Sequence, residues 1–315
     1  MPFSADPQIR ETSTGLVSTL RAAAAQPTQE FRPAHAKGHL LTGTFTPTPA
    51  ASSLTTAPHF NLPSVPTTIR FSSSTGLPQL PDTDPAGNPH GIAIRFHLPE
   101  AGGRRRHTDM IAHSTPLFPV RTGGEFLEFL RAAGGADAST AVPEFLGRHP
   151  ETRRFLEAGK PSPVSFATER FFGVNAFRFL RDGTTTTLRY RIEPVAGAAH
   201  LDASALAGRA PDWLFDELNA RVAAGPVEFR LLAQIAADGD TTDDATVLWP
   251  EDRAVVQLGT LRVEGVLGDA ESRAAQKQVI FDPIPRVEGV EVSDDPLLEV
   301  RANVYLASGQ QRRAA

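Results

Sequence analysis

The stretch SDDPLLEVRANVY, residues 293–305, predicts a helix with a marked beginning near the C-terminal end of the sequence. Asp295 can accept hydrogen bonds from the free amides of the first turn, and Pro296 suits the first helical position. Arg301 and Tyr305 follow four residues apart, so they share one face of the helix. A guanidinium beside a phenol favours the phenolate, which is a hard, anionic metal ligand. Tyr305 is therefore a candidate metal ligand, or else a tyrosine that only packs its ring.

The composition limits the classes of protein that this helix can belong to. The chain has 315 residues, 40% of them hydrophobic, so it can bury a large core. A net charge of −5 with interspersed signs predicts a small-molecule partner, and neither nucleic acid nor a membrane. The absence of cysteine excludes disulfides, thiolate-ligated haem and iron–sulfur clusters, so redox chemistry requires a cofactor. No leader-like segment precedes residue 10, and a cytoplasmic location is expected by default.

The rest of the chain predicts long strands interrupted by helices. Strand-like segments lie at residues 40–46, 67–72, 91–96, 171–179, 184–192, 227–235 and 255–263. A short helix is expected at Leu16–Ala25, with hydroxyl caps from residues 12–14 and an end before Pro27, and further helices from Thr122 to Ala158. Because no βαβ alternation occurs, the predicted fold class is α+β: an antiparallel β-barrel core with helical insertions and a C-terminal helix. Without repeats or linkers, one domain should cover residues 1–315.

Several short motifs resemble the haem catalase superfamily, in the family's order along the chain. They are His-Ala-Lys-Gly at 35–38, Ile-Arg-Phe-Ser at 69–72, Asp-Met-Ile-Ala-His-Ser-Thr-Pro at 109–116, Phe-Asp-Pro at 281–283 and Arg301-x-x-x-Tyr305. The resemblance covers nearly the whole chain and is closest to the short catalase-related group. It implies a single catalase-like domain that binds haem b.

The same resemblance implies roles for individual residues. Tyr305 is expected to be the axial ligand of the haem iron, with Arg301 sharing the phenolate charge. His35 is expected to move the peroxide proton, with the Ser72 hydroxyl on its imidazole. The haem propionates and haem edge need cationic partners, and the matching arginines are Arg32, Arg70 and Arg312.

Three further positions stay open at this stage. His113 stands where the family has an asparagine that helps bind peroxide, so it either adds a second base to the pocket or turns to solvent. Phe126 falls where the family packs a phenylalanine on the distal haem face, or it is a helix-core residue. Gly309 can end the last helix. Arg312 would then contact the cofactor from a terminal tail, and Arg313 is an alternative candidate for the same contact.

The resemblance implies a haem peroxidase that reduces organic hydroperoxides and hydrogen peroxide with organic electron donors. A short chain should leave a wider path to the iron. The first alternative is a true catalase that disproportionates hydrogen peroxide. The second is a fatty-acid hydroperoxide isomerase of the allene-oxide-synthase kind, which is disfavoured because Ala34 stands where that group has threonine. The third is a barrel that binds haem or lipid without turnover. The expected partners are a hydroperoxide and an organic reductant, and a homo-oligomer is left open.

Overall fold

An antiparallel β-barrel closes around the core of the protein. The computed structural model describes residues 2–25 and 29–315. The strands are β1 (Gly38–Pro47), β2 (Val65–Ser72), β3 (Gly91–Ala101), β4 (Arg104–His113), β5 (Phe171–Phe172), β6 (Phe177–Arg181), β7 (Thr184–Pro194), β8 (Val227–Ile235), β9 (Val255–Val266) and β10 (Val290–Val292). Eight of them pair in the order β1-β2-β3-β4-β5-β7-β8-β9 and back to β1, while β6 pairs with β7 and β10 with β6, which extends the sheet.

Helices pack around this barrel, so the predicted α+β class with a barrel core is confirmed. They are α1 (Pro7–Ala23), α2 (Pro49–Leu54), α3 (Pro58–Asn61), α4 (Gly123–Gly134), α5 (Ala138–Arg148), α6 (Pro150–Glu157), α7 (Ala203–Ala207), α8 (Trp213–Ala224), α9 (Asp269–Gln278) and α10 (Leu297–Ala314). The C-terminal helix α10 lies along α1, which also packs against α4. Across the described ranges, none of the helices combines the length and apolar content needed to cross a membrane.

Aromatic side chains fill the barrel, and their alternation decides which residues face outward. The Phe71 ring lies 5.2 Å from Phe166, 5.8 Å from Phe171 and 5.9 Å from Phe229, measured between ring centroids. Because successive strand residues point to opposite faces, Arg70 and Ser72 of β2 lie on the outer face of the barrel. Arg70 and Ser72 therefore point away from the aromatic core.

The first helix differs from its prediction. It begins at Pro7, where the Asp6 side chain accepts a hydrogen bond of 2.8 Å from the Gln8 amide. The expected caps at residues 12–14 were wrong, because these residues lie inside the helix, where the Ser13 hydroxyl donates to the Ile9 carbonyl at 2.7 Å. The helix ends at Ala23, and Pro27 lies outside the described residues.

The last helix begins one residue later than predicted and ends later as well. It starts at Leu297, whose amide donates to the Asp295 carboxylate at 3.0 Å, so Asp295 still satisfies a free amide. Gly309 does not end the helix, which continues to Ala314. A Cβ atom at Gly309 would lie 2.4 Å from the Ile280 side chain, so glycine serves close packing at this position. Arg312 therefore projects from the helix and not from a tail.

A buried histidine beside the core makes stability depend on pH. His59 is 3% exposed, and its ring lies 4.0 Å from Phe60 and 5.0 Å from Phe96, centroid to centroid. Burial lowers the pKa of His59 to about 3, whereas an unfolded histidine titrates near ~6.5. As the pH falls, the unfolded chain binds this proton first. The contribution to stability is therefore complete above ~6.5 and is lost progressively below it.

We expect the His59→Phe variant to lose less stability in acid than the wild-type protein. Lowering the pH from about 7.5 to about 5.5 should cost the wild type about 1.4 kcal/mol more, the free energy of protonating one histidine in the unfolded chain. Urea unfolding at both pH values measures this difference. As a control, the two proteins should change equally between about pH 7.5 and 8.5. Equal acid sensitivity would contradict the prediction.

Candidate functional site

Small residues on one strand leave a hollow on the outer face of the barrel. In β3, Gly91 and Ala93 point outward between the side chains of β2 and β4. A Cβ atom at Gly91 would lie 2.9 Å from the His35 ring, so only glycine leaves that ring its present position. The register places these outward-facing residues in two rows, Ser72–Gly91–His113 and Arg70–Ala93–Ile111.

Helix α10 and the segment before β1 cover this hollow and convert it into a cavity. The cavity holds about 690 Å³ of space between atoms, including its opening to solvent. Its lining contains most of the predicted site residues, namely Arg32, His35, Arg70, Ser72, His113, Tyr305 and Arg312. Residues far apart in sequence therefore meet in one place.

His35 is held in an unusual backbone conformation and a defined ring position. Its φ of 55° lies in the left-handed region, which costs free energy for a residue other than glycine. The His35 amide donates to the Ser74 carbonyl at 3.0 Å, and Arg70 donates to the His35 carbonyl at 2.8 Å. Nδ1 of the ring lies 3.0 Å from the Ser72 hydroxyl. Burial, followed by the charges of neighbours such as His113, lowers the pKa of His35 well below its ordinary value. The imidazole is neutral at neutral pH.

His113 faces the same cavity, whereas Phe126 does not. The His113 and His35 ring centroids are 5.5 Å apart. Burial, with a smaller effect of the Arg301 charge, lowers the pKa of His113 to about 3. Of the two alternatives for His113, the structure has the side chain in the cavity and not turned to solvent. Phe126 packs on the Phe118 ring at 5.3 Å and is not part of the cavity lining.

Three arginines crowd one end of the cavity around neutral acceptors. Arg70 donates to the Gln276 side chain at 2.9 Å, while Arg312 and Arg32 donate to the Val279 carbonyl at 2.8 and 3.3 Å. Burial, followed by the neighbouring Arg312, lowers the pKa of Arg70 to about 9. Within the described residues, Arg70 and Arg312 have no salt bridge, and Nε of Arg312 is buried without a partner. Two carboxylates bound here would satisfy these donors.

Tyr305 projects from α10 into the same cavity. No hydrogen bond joins its hydroxyl to another described residue, so its oxygen is available to a ligand. Arg301 does not hydrogen-bond to Tyr305: it donates instead to the Asn175 side-chain carbonyl. Asn175 in turn donates to the Asp295 carboxylate at 2.7 Å. The sequence does not predict a role for Asn175, because its position between two aromatic segments is its only distinguishing feature there.

The donor set fits a haem. A phenol oxygen, a neutral imidazole and three guanidinium groups line one cavity, and these are the groups that an iron, a peroxide and two propionates require. An antiparallel barrel with such an outer cavity defines the general class of a haem-dependent oxidoreductase.

Comparison with known proteins gives the family. The Catalase family model matches residues 27–315. The catalase-related peroxidase of Mycolicibacterium paratuberculosis is 36% identical, with coverage of 89% of this chain and 88% of the relative. The catalase-related peroxidase of Synechococcus elongatus is 31% identical, with coverage of 88% and 82%. The chain belongs to the catalase family, which is haem-dependent and acts on peroxides. The peroxidase resemblance is thereby confirmed.

Solved structures support the fold. A fungal catalase and catalase A from Saccharomyces cerevisiae both superpose with a TM-score of 0.77, at 20% and 19% identity. The matches cover 95% and 94% of this chain but only 63% and 64% of the catalase chains. The shared part is the barrel with its surrounding helices.

Proposed function

We propose that this protein is a haem b peroxidase that reduces organic hydroperoxides, and hydrogen peroxide, with organic electron donors. The observation that carries the proposal is one cavity lined by both a neutral His35 and Tyr305, whose hydroxyl forms no hydrogen bond with a residue that the structure describes. The test is an absorption spectrum of haem-loaded protein before and after one equivalent of cumene hydroperoxide, followed by addition of a phenolic donor. Protein that shows no Soret band despite ample haem would refute the proposal.

Tyr305 would hold the iron, and the three arginines would hold the propionates. The haem, when bound, supplies the redox chemistry that cleaves the O–O bond. Arg70 is fixed for its role by Gln276 and by the close packing of Gly38, where a Cβ atom would lie 2.5 Å from the guanidinium carbon. Arg301 would act on Tyr305 by charge alone, since its hydrogen bond goes to Asn175.

His35 would take the proton of the hydroperoxide and return it to the departing oxygen. In the tautomer whose Nδ1–H donates to the Ser72 hydroxyl, Nε2 carries the free lone pair that accepts the proton. The lowered pKa keeps that lone pair available at neutral pH. Release of the same proton to the departing oxygen lets it leave as an alcohol.

The balance between peroxidase and catalase activity is also a proposal. Two relatives above 30% identity are named catalase-related peroxidases, and the chain spans less than two thirds of the two catalase structures described above. His113 adds a second neutral imidazole to the cavity, 5.5 Å from His35 between ring centroids. We expect donor oxidation to exceed oxygen release, which an oxygen electrode measures in parallel with donor absorbance.

Replacing Gly91 with alanine should slow hydroperoxide cleavage without loss of haem. The new Cβ atom would lie 2.9 Å from His35 Cε1 and 3.0 Å from the Ser72 hydroxyl, so the imidazole must move. A displacement on the ångström scale costs up to about a hundredfold in rate. Stopped-flow measurement of the second-order rate constant checks this result. Gly134→Ala, where an added Cβ meets nothing within 4 Å, is the control. An unchanged rate constant in the Gly91 variant would contradict the role given to His35.

Single-domain organisation over residues 1–315, a homo-oligomer and a cytoplasmic location remain predictions of the sequence. One unfolding transition by several probes would support a single domain. Analytical ultracentrifugation measures the oligomeric state, and cell fractionation measures the location.

A further inference from the structure

A second, larger cleft adjoins the cavity. Residues 30–39, helix α8 and helix α9 bound about 1,520 Å³ of space between atoms, including its opening to solvent. Arg32 lines both the cleft and the cavity. The hydrogen bond of 2.9 Å between Arg70 and Gln276 lies at the same boundary, since Arg70 lines the cavity and Gln276 the cleft. A single layer of side chains therefore separates the two spaces.

The lining of the cleft contains four cations and two acids, although the whole chain carries a net charge of −5. Its charged lining consists of the cations Arg32, Lys37, Arg273 and Lys277 and the acids Glu30 and Asp212. Lys37 is already neutralised by Asp212 at 2.7 Å and by Asp82 at 2.6 Å. Arg273 and Lys277 form no salt bridge with any residue that the structure describes. In the haem-loaded protein, where Arg32 would hold a propionate, Arg273 and Lys277 are the cations of the cleft that can attract an anionic ligand.

Apolar surface accompanies these cations. Phe31 is 38% exposed, and the lining also contains Pro78 and Leu267. The exposed Phe31 ring, together with the cations Arg273 and Lys277, matches an amphipathic anion that has a ring to pack and a carboxylate to pair.

We propose that this cleft binds phenolic carboxylates, which serve as the electron donors of the peroxidase. The inference rests on the proposed function, because it names the donor that the reaction needs. Each phenol gives up one electron and its hydroxyl proton and becomes a phenoxyl radical. Two donor molecules therefore reduce one hydroperoxide to one alcohol and one water. The donor is bound outside the cavity, so it does not compete with the hydroperoxide for space near His35.

The test compares 4-hydroxyphenylacetate with tyrosol, a phenol in which a neutral hydroxymethyl group replaces the carboxylate. Isothermal titration calorimetry of the haem-loaded protein measures the binding of each probe without turnover. We expect the Arg273→Gln/Lys277→Gln double variant to bind 4-hydroxyphenylacetate about tenfold more weakly, with tyrosol binding unchanged. Arg104→Gln/Arg105→Gln is the matched control, because it removes two charges from the exposed end of β4.

The possible outcomes distinguish failure of the proposed donor site from failure of the proposed peroxidase function. Selective loss of 4-hydroxyphenylacetate binding, with a matching rise in its KM and an unchanged kcat, supports the proposal. Equal affinity of the wild-type protein for both probes, or an equal loss in the control variant, overturns it. Charge-selective binding in a protein without peroxidase activity would refute the donor role and the proposed function, and would leave an anion site. Peroxidase activity without charge-selective binding would refute only the proposal that the cleft binds phenolic carboxylates.

Discussion

Tyr305→Phe should lower the rate of hydroperoxide reduction by about three orders of magnitude. The substitution removes one oxygen atom from this residue of α10 and keeps its aromatic ring, so the fold should persist. That oxygen is the group that would hold the haem iron in the proposed function. No hydrogen bond to another described residue holds the hydroxyl, so its loss leaves no donor or acceptor of the protein unsatisfied.

The measurement pairs stopped-flow kinetics with the haem absorption spectrum of the same protein. A changed Soret band, or a lower haem content per chain, is expected in the Tyr305 variant. Tyr190→Phe is the matched control, since Tyr190 is the only other tyrosine and is 5% exposed, outside the cavity lining. An unchanged Soret band and an unchanged rate of hydroperoxide reduction in Tyr305→Phe would refute the assignment of Tyr305 as the iron ligand.

The barrel could be predicted because its strands carry a local signal. Segments such as Val227–Ile235 were predicted with the bounds that the structure has, since β-branched and aromatic residues favour extended backbone. β4, at Arg104–His113, was missed as a strand. Its first residues are three consecutive arginines, and their extended state follows from pairing with β3, a non-local contact that composition does not reveal.

Helix ends were less predictable, because the competing signals are equally local. Hydroxyl residues at 12–14 resemble a cap, yet Asp6 and Pro7 supply a better beginning, and the helix extends back to them. Gly309 resembles a helix end, but its glycine is explained by the approach of Ile280, which arrives from a distant segment. Only the tertiary structure separates these two uses of glycine.

The residues of the candidate site could be assembled from the sequence, but their hydrogen bonds could not. The four-residue spacing predicts that Arg301 and Tyr305 interact on one face of the helix. In the structure, Arg301 instead donates to Asn175, which in turn donates to Asp295. The competing acceptor, Asn175, lies between β5 and β6, remote in sequence from α10. Phe126 shows the same limit, because helix α4 positions it against Phe118 and not against the cavity.

His35→Asn should reduce the rate constant for hydroperoxide cleavage by about 10²–10⁴-fold, the usual contribution of a general acid–base group. Asparagine is the suitable replacement, because it tolerates the left-handed backbone that His35 adopts at φ 55° and keeps a polar group near Ser72. Haem binding should be retained, since the proposed iron and propionate partners lie elsewhere in the cavity. Stopped-flow rate constants and the Soret absorbance per chain measure the two effects separately.

The matched control is His113→Asn, which removes the neighbouring imidazole, 5.5 Å away between ring centroids. If His35 alone carries the proton, this control should stay within about tenfold of the wild-type rate constant. The pH profile gives an independent check. A base acts when deprotonated, so the rate constant should fall only as the pH drops through the lowered pKa of His35, well below ~6.5. If His113→Asn abolished hydroperoxide cleavage while His35→Asn had only a mild effect, proton transfer would have to be assigned to His113 and not to His35.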